Sequence, residues 1–142
     1  GAQRAELEAL VQSLSLASQV RFVGRVGIQE VPLWLQASDV FTLISPSEGF
    51  SCALLEAMSV GLASVVSDIP ANRQLIDPEV HGLAVPFGND SAAGQAFARL
   101  LRDDTLRRGM GQAARQRVAD KYSTERVADL YERLLETLMR ST

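Results

Sequence analysis

The chain has 142 residues, enough for one domain that buries roughly two-thirds of the surface exposed by its unfolded form. Fourteen basic and 17 acidic residues give a net charge of −3, which excludes a large sequence-independent affinity for nucleic acid or for an anionic bilayer. The lone Cys52 cannot form an internal disulfide, no apolar run approaches the roughly 20 residues a membrane span requires, and the charged start Gly-Ala-Gln-Arg-Ala-Glu does not read as a signal peptide.

In chain order, Leu7, Leu10, Val11 and Leu14 fall on one helical face that ends near Ser15–Ser18. Val20–Gly24 alternates as a strand does, and a short helix through Val31, Leu33, Trp34 and Leu35 follows, with Pro32 in its first turn. Val40–Ile44 is apolar on both faces, the pattern of a central parallel strand covered by helices on each side. Cys52–Val60 is rich in helix formers and closes on Gly61, and Ala63–Ser67 is a second buried strand, which makes a βαβ unit. A short helix within Ile69–Ile76 and a weak strand Leu83–Val85 come next. Helices are expected over 91–102, 104–120 and 124–139, with Asp103 and Ser123 as N-caps and with Gly109 and Gly111 weakening the middle one. The expected fold class is α/β: a parallel Rossmann-like sheet of about four strands with flanking helices and a helical tail over 104–142.

Ligands of such sheets bind beyond the carboxyl ends of the strands, where Ser45–Ser51 lies. Two carboxylates, Glu48 and Glu56, bracket a glycine turn at a helix start. Helix-start amides attract anions and carboxylates accept hydrogen bonds from hydroxyls, so the layout suits a phosphate flanked by sugars, as in a nucleotide-sugar. An ionised Glu56 carboxylate accepts two hydrogen bonds at once and suits the vicinal hydroxyls of a ribose. Gly49 lets a diphosphate approach the backbone at Phe50, Ser51 and Cys52, and Ser51 is expected to cap the helix. For each residue a plainer reading stands alongside. A glutamate at a helix start favours the helix dipole with or without a ligand. Cys52 is expected to pack as a small buried residue, Trp34 to belong to the core, and His81, with no nucleophile or metal partner at suitable spacing, to be a surface residue. Asn72 and Arg73 are open between helix capping with a surface ion pair and ligand contact.

Pro46-Ser47-Glu48-Gly49-Phe50, the seven-residue gap to Glu56, Leu55-Glu56-Ala57-Met58, Ser67-Asp68-Ile69-Pro70-Ala71-Asn72-Arg73 and Gly82-Leu83-Ala84-Val85-Pro86 occur in an order that resembles the C-terminal, donor-binding domain of the group 1 (family 4) retaining glycosyltransferases, two-domain enzymes of the GT-B fold. The resemblance covers practically the whole chain. It implies that Glu48 faces the transferred sugar and shares in stabilising the positive charge that develops on its ring, as a catalytic residue but not a base. It implies that Glu56 holds the ribose, and that Val23, beside Gly24 and Arg25, lies against the nucleobase. The donor would be a UDP-, GDP- or ADP-sugar, with no metal and no further cofactor.

By the same resemblance the chain is expected to start after the first two strands of the donor domain. It would lack the N-terminal acceptor-binding domain and the Arg and Lys that relatives supply to the diphosphate, and would be inactive alone. The acceptor is unspecified, nucleic acid is not expected as a partner, and an exposed sheet edge would favour self-association. The expected location is the cytoplasm, with placement at the inner membrane face open for the full-length protein. Ser51 and Cys52 depart from the Gly-Leu of many relatives, Leu62 and Ala63 stand where a proline often precedes the strand, and Gln74 stands where a glutamate is common. Two rival classes are weighed. A sugar-nucleotide epimerase of the same fold needs further acidic and histidine residues not found here. A receiver-type signalling module needs an acidic cluster at its first strand and a late lysine, whereas the sole lysine is Lys121.

Overall fold

Three parallel strands, β1 (Val40–Leu43), β2 (Ala63–Ser67) and β3 (Leu83–Val85), form one sheet in the order β1-β2-β3 in the computed structural model, which describes residues 1–140. Val40 pairs with Ala63 and Leu43 with Val66, while Val65 pairs with Leu83 and Ser67 with Val85. Parallel neighbours need a crossover, and helices supply both: α3 (Cys52–Ser59) links β1 to β2, and α4 (Pro70–Leu75) lies between β2 and β3. Then follow α5 (Asp90–Arg102), α6 (Asp104–Tyr122) and α7 (Thr124–Arg140). The chain divides into two compact units, residues 1–31 and residues 32 onward.

Every residue of β2 is buried, because this strand has a neighbour on each side and helices on both faces. Its alternation sorts the core. Ala63 and Val65 join Leu83, Val85, Ala96, Leu100 and Met110 in one cluster, and Val66 joins Leu54, Met58, Leu75, Ile76 and Ala114 in the other. Successive side chains thus feed opposite faces of the sheet.

Helix α3 ends where a glycine permits. Gly61 takes φ +82°, its amide donates to the Met58 carbonyl at 3.0 Å, and the Leu62 amide donates to the Ala57 carbonyl at 3.1 Å, the paired bonds of a Schellman ending. Helix α6 crosses directly over that ending. A Cβ on Gly111 would overlap the Gly61 carbonyl oxygen and stand 2.9 Å from its carbon, whereas one on Gly109 would meet nothing. The two glycines read from sequence as equal weaknesses of α6 therefore differ in kind: Gly111 allows a close backbone approach and Gly109 does not contribute one.

The caps of α5 and α6 are made by side chains. Asn89 accepts from the Ala92 amide at 3.0 Å, and Asp103 accepts from the Leu106 amide at 2.8 Å, the second as expected. The Ser123 hydroxyl accepts from the Arg126 amide at 3.2 Å, which places it before α7 as expected. The expected tail over 104–142 runs to residues 141 and 142, which lie outside the described residues. α7 buries none of its residues.

Other expectations fail for identifiable reasons. Val20–Gly24 is no strand: it pairs with no other segment among the described residues, and alternation without a ladder partner leaves only an extended stretch, so the sheet has three strands rather than about four. Its unit otherwise contains α1 (Arg4–Ser13), whose Arg4 pairs with Glu8 at 2.7 Å and stacks its guanidinium 5.7 Å from the Phe22 ring centre. β1 is an edge strand, not a central one; it pairs only with β2 among the described residues, and Thr42 is exposed. Trp34, in α2 (Val31–Gln36), remains 43% exposed instead of entering the core.

His81 is buried, not on the surface. Its Nδ1 accepts the Asp77 amide at 3.0 Å, while Arg117 reaches Asp77 at 2.6 Å and the Gln74 carbonyl at 3.2 Å. Burial lowers the His81 pKa from its ordinary value, and the nearby Arg117 cation adds to the effect against a smaller opposing pull from Asp77.

Gly111→Ala is expected to cost about 1–3 kcal/mol from overpacking against a backbone that cannot yield, whereas Gly109→Ala gains about 0.5–1 kcal/mol from helix propensity; urea unfolding of both variants checks the contrast. A lowered folded-state pKa means that the unfolded chain binds a proton more readily, so the His81 contribution is intact above the unfolded value near 6.5 and lost as pH falls through the folded one. Unfolding midpoints measured at pH 7.5 and pH 5 should show that loss, and His81→Asn, which keeps an acceptor for the Asp77 amide, should flatten it.

Candidate functional site

The loop Ile44–Ser51 leaves the carboxyl end of β1 and turns into α3, beside Ser67 at the carboxyl end of β2. Small polar residues join these pieces. The Ser45 amide donates to the Ser67 hydroxyl at 2.7 Å, and the Ser45 hydroxyl donates to Glu48 Oε1 at 2.7 Å. On the other side of Ser67, Asn72 Nδ2 donates to the Ser67 carbonyl at 2.8 Å, and Asn72 Oδ1 accepts from the Ser51 hydroxyl at 2.6 Å. The carbonyl can only accept, so it fixes which end of the Asn72 amide faces it. Ser51, Ser67 and Asn72 are all buried, and their polar atoms are paired as most buried polar side chains are; the Ser64 hydroxyl of β2, buried without a partner among the described residues, is an exception.

One consequence concerns the helix start. Ser51 occupies the N-cap of α3 but makes no capping bond, contrary to the sequence expectation, because its hydroxyl is committed to Asn72. The Cys52 amide turns back to the Phe50 carbonyl at 2.9 Å, and the Leu55 amide bonds the Ser51 carbonyl at 3.0 Å. The amides of Ala53 and Leu54 donate to no acceptor among the described residues. Leu54 is fully buried and Ala53 exposed, so the helix start carries partial positive charge with one accessible donor, the Ala53 amide.

Around it stand the residues singled out from sequence. Glu48 is half-buried, and its carboxylate joins no ion pair among the described residues. Glu56 is exposed one turn into α3, on the same face as Cys52, and is likewise in no ion pair there. Gly49 is exposed, and a Cβ on it would meet nothing within 4 Å. Phe50 is 44% exposed, with its ring 6.4 Å from that of Tyr122, whose hydroxyl donates to the Gln74 carbonyl at 3.0 Å. Cys52 is exposed and does not pack as expected: residues 54, 57 and 58 form the buried face of α3, and position 52 falls on the other.

Val23 and Arg25 belong to the first unit and are both exposed. A cleft of about 630 Å³ within that unit is lined by Arg4, Leu7, Arg21, Phe22, Val23 and Gly24. Arg25 is not part of its wall. No three His, Cys, Asp or Glu side chains converge to hold a metal ion among the described residues.

Arg73 forms a two-pronged pair with Asp68, through Nε on Oδ1 and through Nη2 on Oδ2 at 2.8 Å, which lowers the Asp68 pKa below its ordinary value. Asn72 and Arg73, adjacent in sequence and read together, thus separate into a buried connector and a surface pair. The connectors Ser45 and Ser67 were assigned no role from sequence, and Asn72 was read as a cap or a ligand contact, not as a connector. The nearest signal in the sequence was the serine that ends the buried strand β2, with Asn72 five residues after it.

The model of the family described as glycosyl transferases group 1 matches residues 1–117. The chain is 28% identical over 131 residues to the N-acetyl-alpha-D-glucosaminyl L-malate synthase of Bacillus anthracis, covering 92% of this chain and 34% of that protein. It is 32% identical over 136 residues to the phosphatidyl-myo-inositol mannosyltransferase of Mycolicibacterium smegmatis, covering 94% and 34%. Among solved structures, the sucrose-phosphate synthase of Thermosynechococcus elongatus superposes with a TM-score of 0.89 at 30% identity, covering 100% of this chain and 36% of that one. The chain therefore spans about a third of the length of the curated relatives it matches.

Asn72→Ala strands the Ser51 hydroxyl in the interior and takes one of two donors from the Ser67 carbonyl, which keeps the Ile69 amide at 2.9 Å, so the loss should reach about 1–3 kcal/mol. Asn72→Asp should be no milder, since it turns an acceptor on the Ser67 carbonyl; denaturant titration of the two variants measures both losses.

Proposed function

This chain belongs to the glycosyl transferases group 1 family, and from that membership together with the site geometry we propose that it holds the donor in a retaining transfer of sugar from a nucleotide diphosphate sugar to an acceptor. The observation that carries the proposal is the open start of α3: the amide of exposed Ala53 without an acceptor among the described residues, an exposed glycine at position 49, and a carboxylate on each side. A diphosphate seats against such a helix start by charge and by hydrogen bonding together. Capping by Ser51 would have filled part of that seat, and Asn72 keeps the hydroxyl away from it.

In this reading the exposed Glu56 accepts hydrogen bonds from the ribose hydroxyls and Glu48 faces the sugar to be transferred. Negative charge at Glu48 stabilises positive charge growing on the sugar ring as the bond to the diphosphate breaks. Phe50, Ser51 and Cys52 serve through the backbone, so their side chains are free for packing or for the link to Asn72. A sugar-nucleotide epimerase would use the same diphosphate seat, and product analysis on the intact protein separates the two activities.

Calorimetric titration of the intact protein with UDP-, GDP- and ADP-sugars is expected to show binding of one nucleotide class. Glu56→Ala should weaken that binding by about 10- to 100-fold, the worth of hydrogen bonds to a charged acceptor. Unchanged affinity in Glu56→Ala would remove the ribose contact from this carboxylate.

A further inference from the structure

We infer that Ser45 is a positioning residue for Glu48, acting as the middle link of a relay that runs from the buried end of β2 to the carboxylate facing the sugar. The inference rests on the donor-site reading above and adds to it a residue whose own side chain need not touch the donor. The relay has two bonds. Ser67, fully buried at the last position of β2, accepts the Ser45 amide at 2.7 Å, and the Ser45 hydroxyl passes the constraint on to Glu48 Oε1 at 2.7 Å. Ser67 is itself held through its carbonyl by Asn72. A hydroxyl has one proton to give, and here the carboxylate receives it, which is the stronger kind of hydrogen bond.

Glu48 otherwise has little to hold it. It lies on a loop between β1 and α3, next to a glycine, and no cation pairs with it among the described residues. A glutamate side chain has three rotatable bonds, so without an anchor its carboxylate would sample many positions. With Oε1 bonded to Ser45, the direction of the carboxylate is set and Oε2 is left to meet a ligand hydroxyl or a developing positive charge. Placement to within a fraction of an ångström is what electrostatic stabilisation of a transition state demands.

The relay predicts an effect on the sugar and none on the nucleotide. The intact protein is tested with UDP-glucose, GDP-mannose and ADP-glucose and with the free diphosphates, by calorimetry and by the rate at which the nucleoside diphosphate is released in water. Ser45→Ala should lower the release rate by about 10- to 100-fold while leaving the affinity for the free diphosphate unchanged, and Ser45→Thr, which keeps the hydroxyl, should restore the rate. In a Glu48→Gln background, Ser45→Ala should add little, because a residue that acts through another loses its effect when that other is disabled. Equal losses in the alanine and threonine variants, full additivity with Glu48→Gln, or a weakened diphosphate affinity would each overturn the relay, as would a Ser45→Ala protein with the parental rate. Absence of binding and release for all three donors in the unmodified protein would overturn the donor-site reading instead, and the relay with it. Thermal unfolding of each variant, run in parallel, separates a folding defect from misplacement, and a Ser45→Ala protein that melts with the parent but keeps its slow release supports the relay.

Discussion

A single side-chain amide, buried among three elements, sets the geometry on which the site depends. Asn72 reaches from α4 to the last carbonyl of β2 with one end and to the first turn of α3 with the other. Two elements far apart in sequence are thereby held in register at the carboxyl end of the sheet. In an interior of low polarity these hydrogen bonds are strong when made and costly when broken, so the arrangement is held to one geometry. The same bond that secures Ser51 also prevents it from capping α3. One contact both ties β2 to α3 and leaves the start of α3 without a side-chain cap.

From Ser67 the polar chain continues outward through Ser45 to Glu48, so a carboxylate on a loop is tied to the most buried strand. The depth of burial falls along the way: Ser67 is inaccessible, Ser45 half-buried, and Glu48 half-buried at the rim. The chain thus runs from an inaccessible strand end to a half-buried carboxylate at the rim. Behind the site, the close crossing of α6 over the end of α3 at Gly61 and Gly111 anchors the far end of the helix whose near end forms the seat. Arg117 and Tyr122 of the same helix hold the carbonyl of Gln74, just after Asn72 in α4. The helix that looked weakest in sequence because of its glycines therefore braces both helices of the site.

Much of this was legible in the residues. Glu48 and Glu56 around a glycine turn, after an apolar strand and before an apolar helix, marked the loop on which the proposed donor site is built. The ordered motifs pointed to the family that the comparisons established. Gly61 closing α3 and Asp103 capping α6 were readable because both depend on a few neighbouring residues and on rules of backbone geometry. Strand β2 was readable for the complementary reason that burial on two faces demands an apolar run.

What tertiary structure decided was the partner of each polar group. Ser51 had every local qualification for an N-cap, yet a carbonyl-anchored amide 21 residues away competes for its hydroxyl and wins. His81 and Cys52 exchanged their expected environments because burial depends on which helix or loop covers a position, and local composition does not contain that information. Val20–Gly24 kept its alternation without becoming a strand, since a ladder needs a second segment. The sequence by itself determined the family and most of the elements, which are set by short-range pattern. The polar relay from Asn72 to Glu48 exists only once β1, β2, α3 and α4 converge, because hydrogen bonds between distant residues depend on positions that no local pattern specifies.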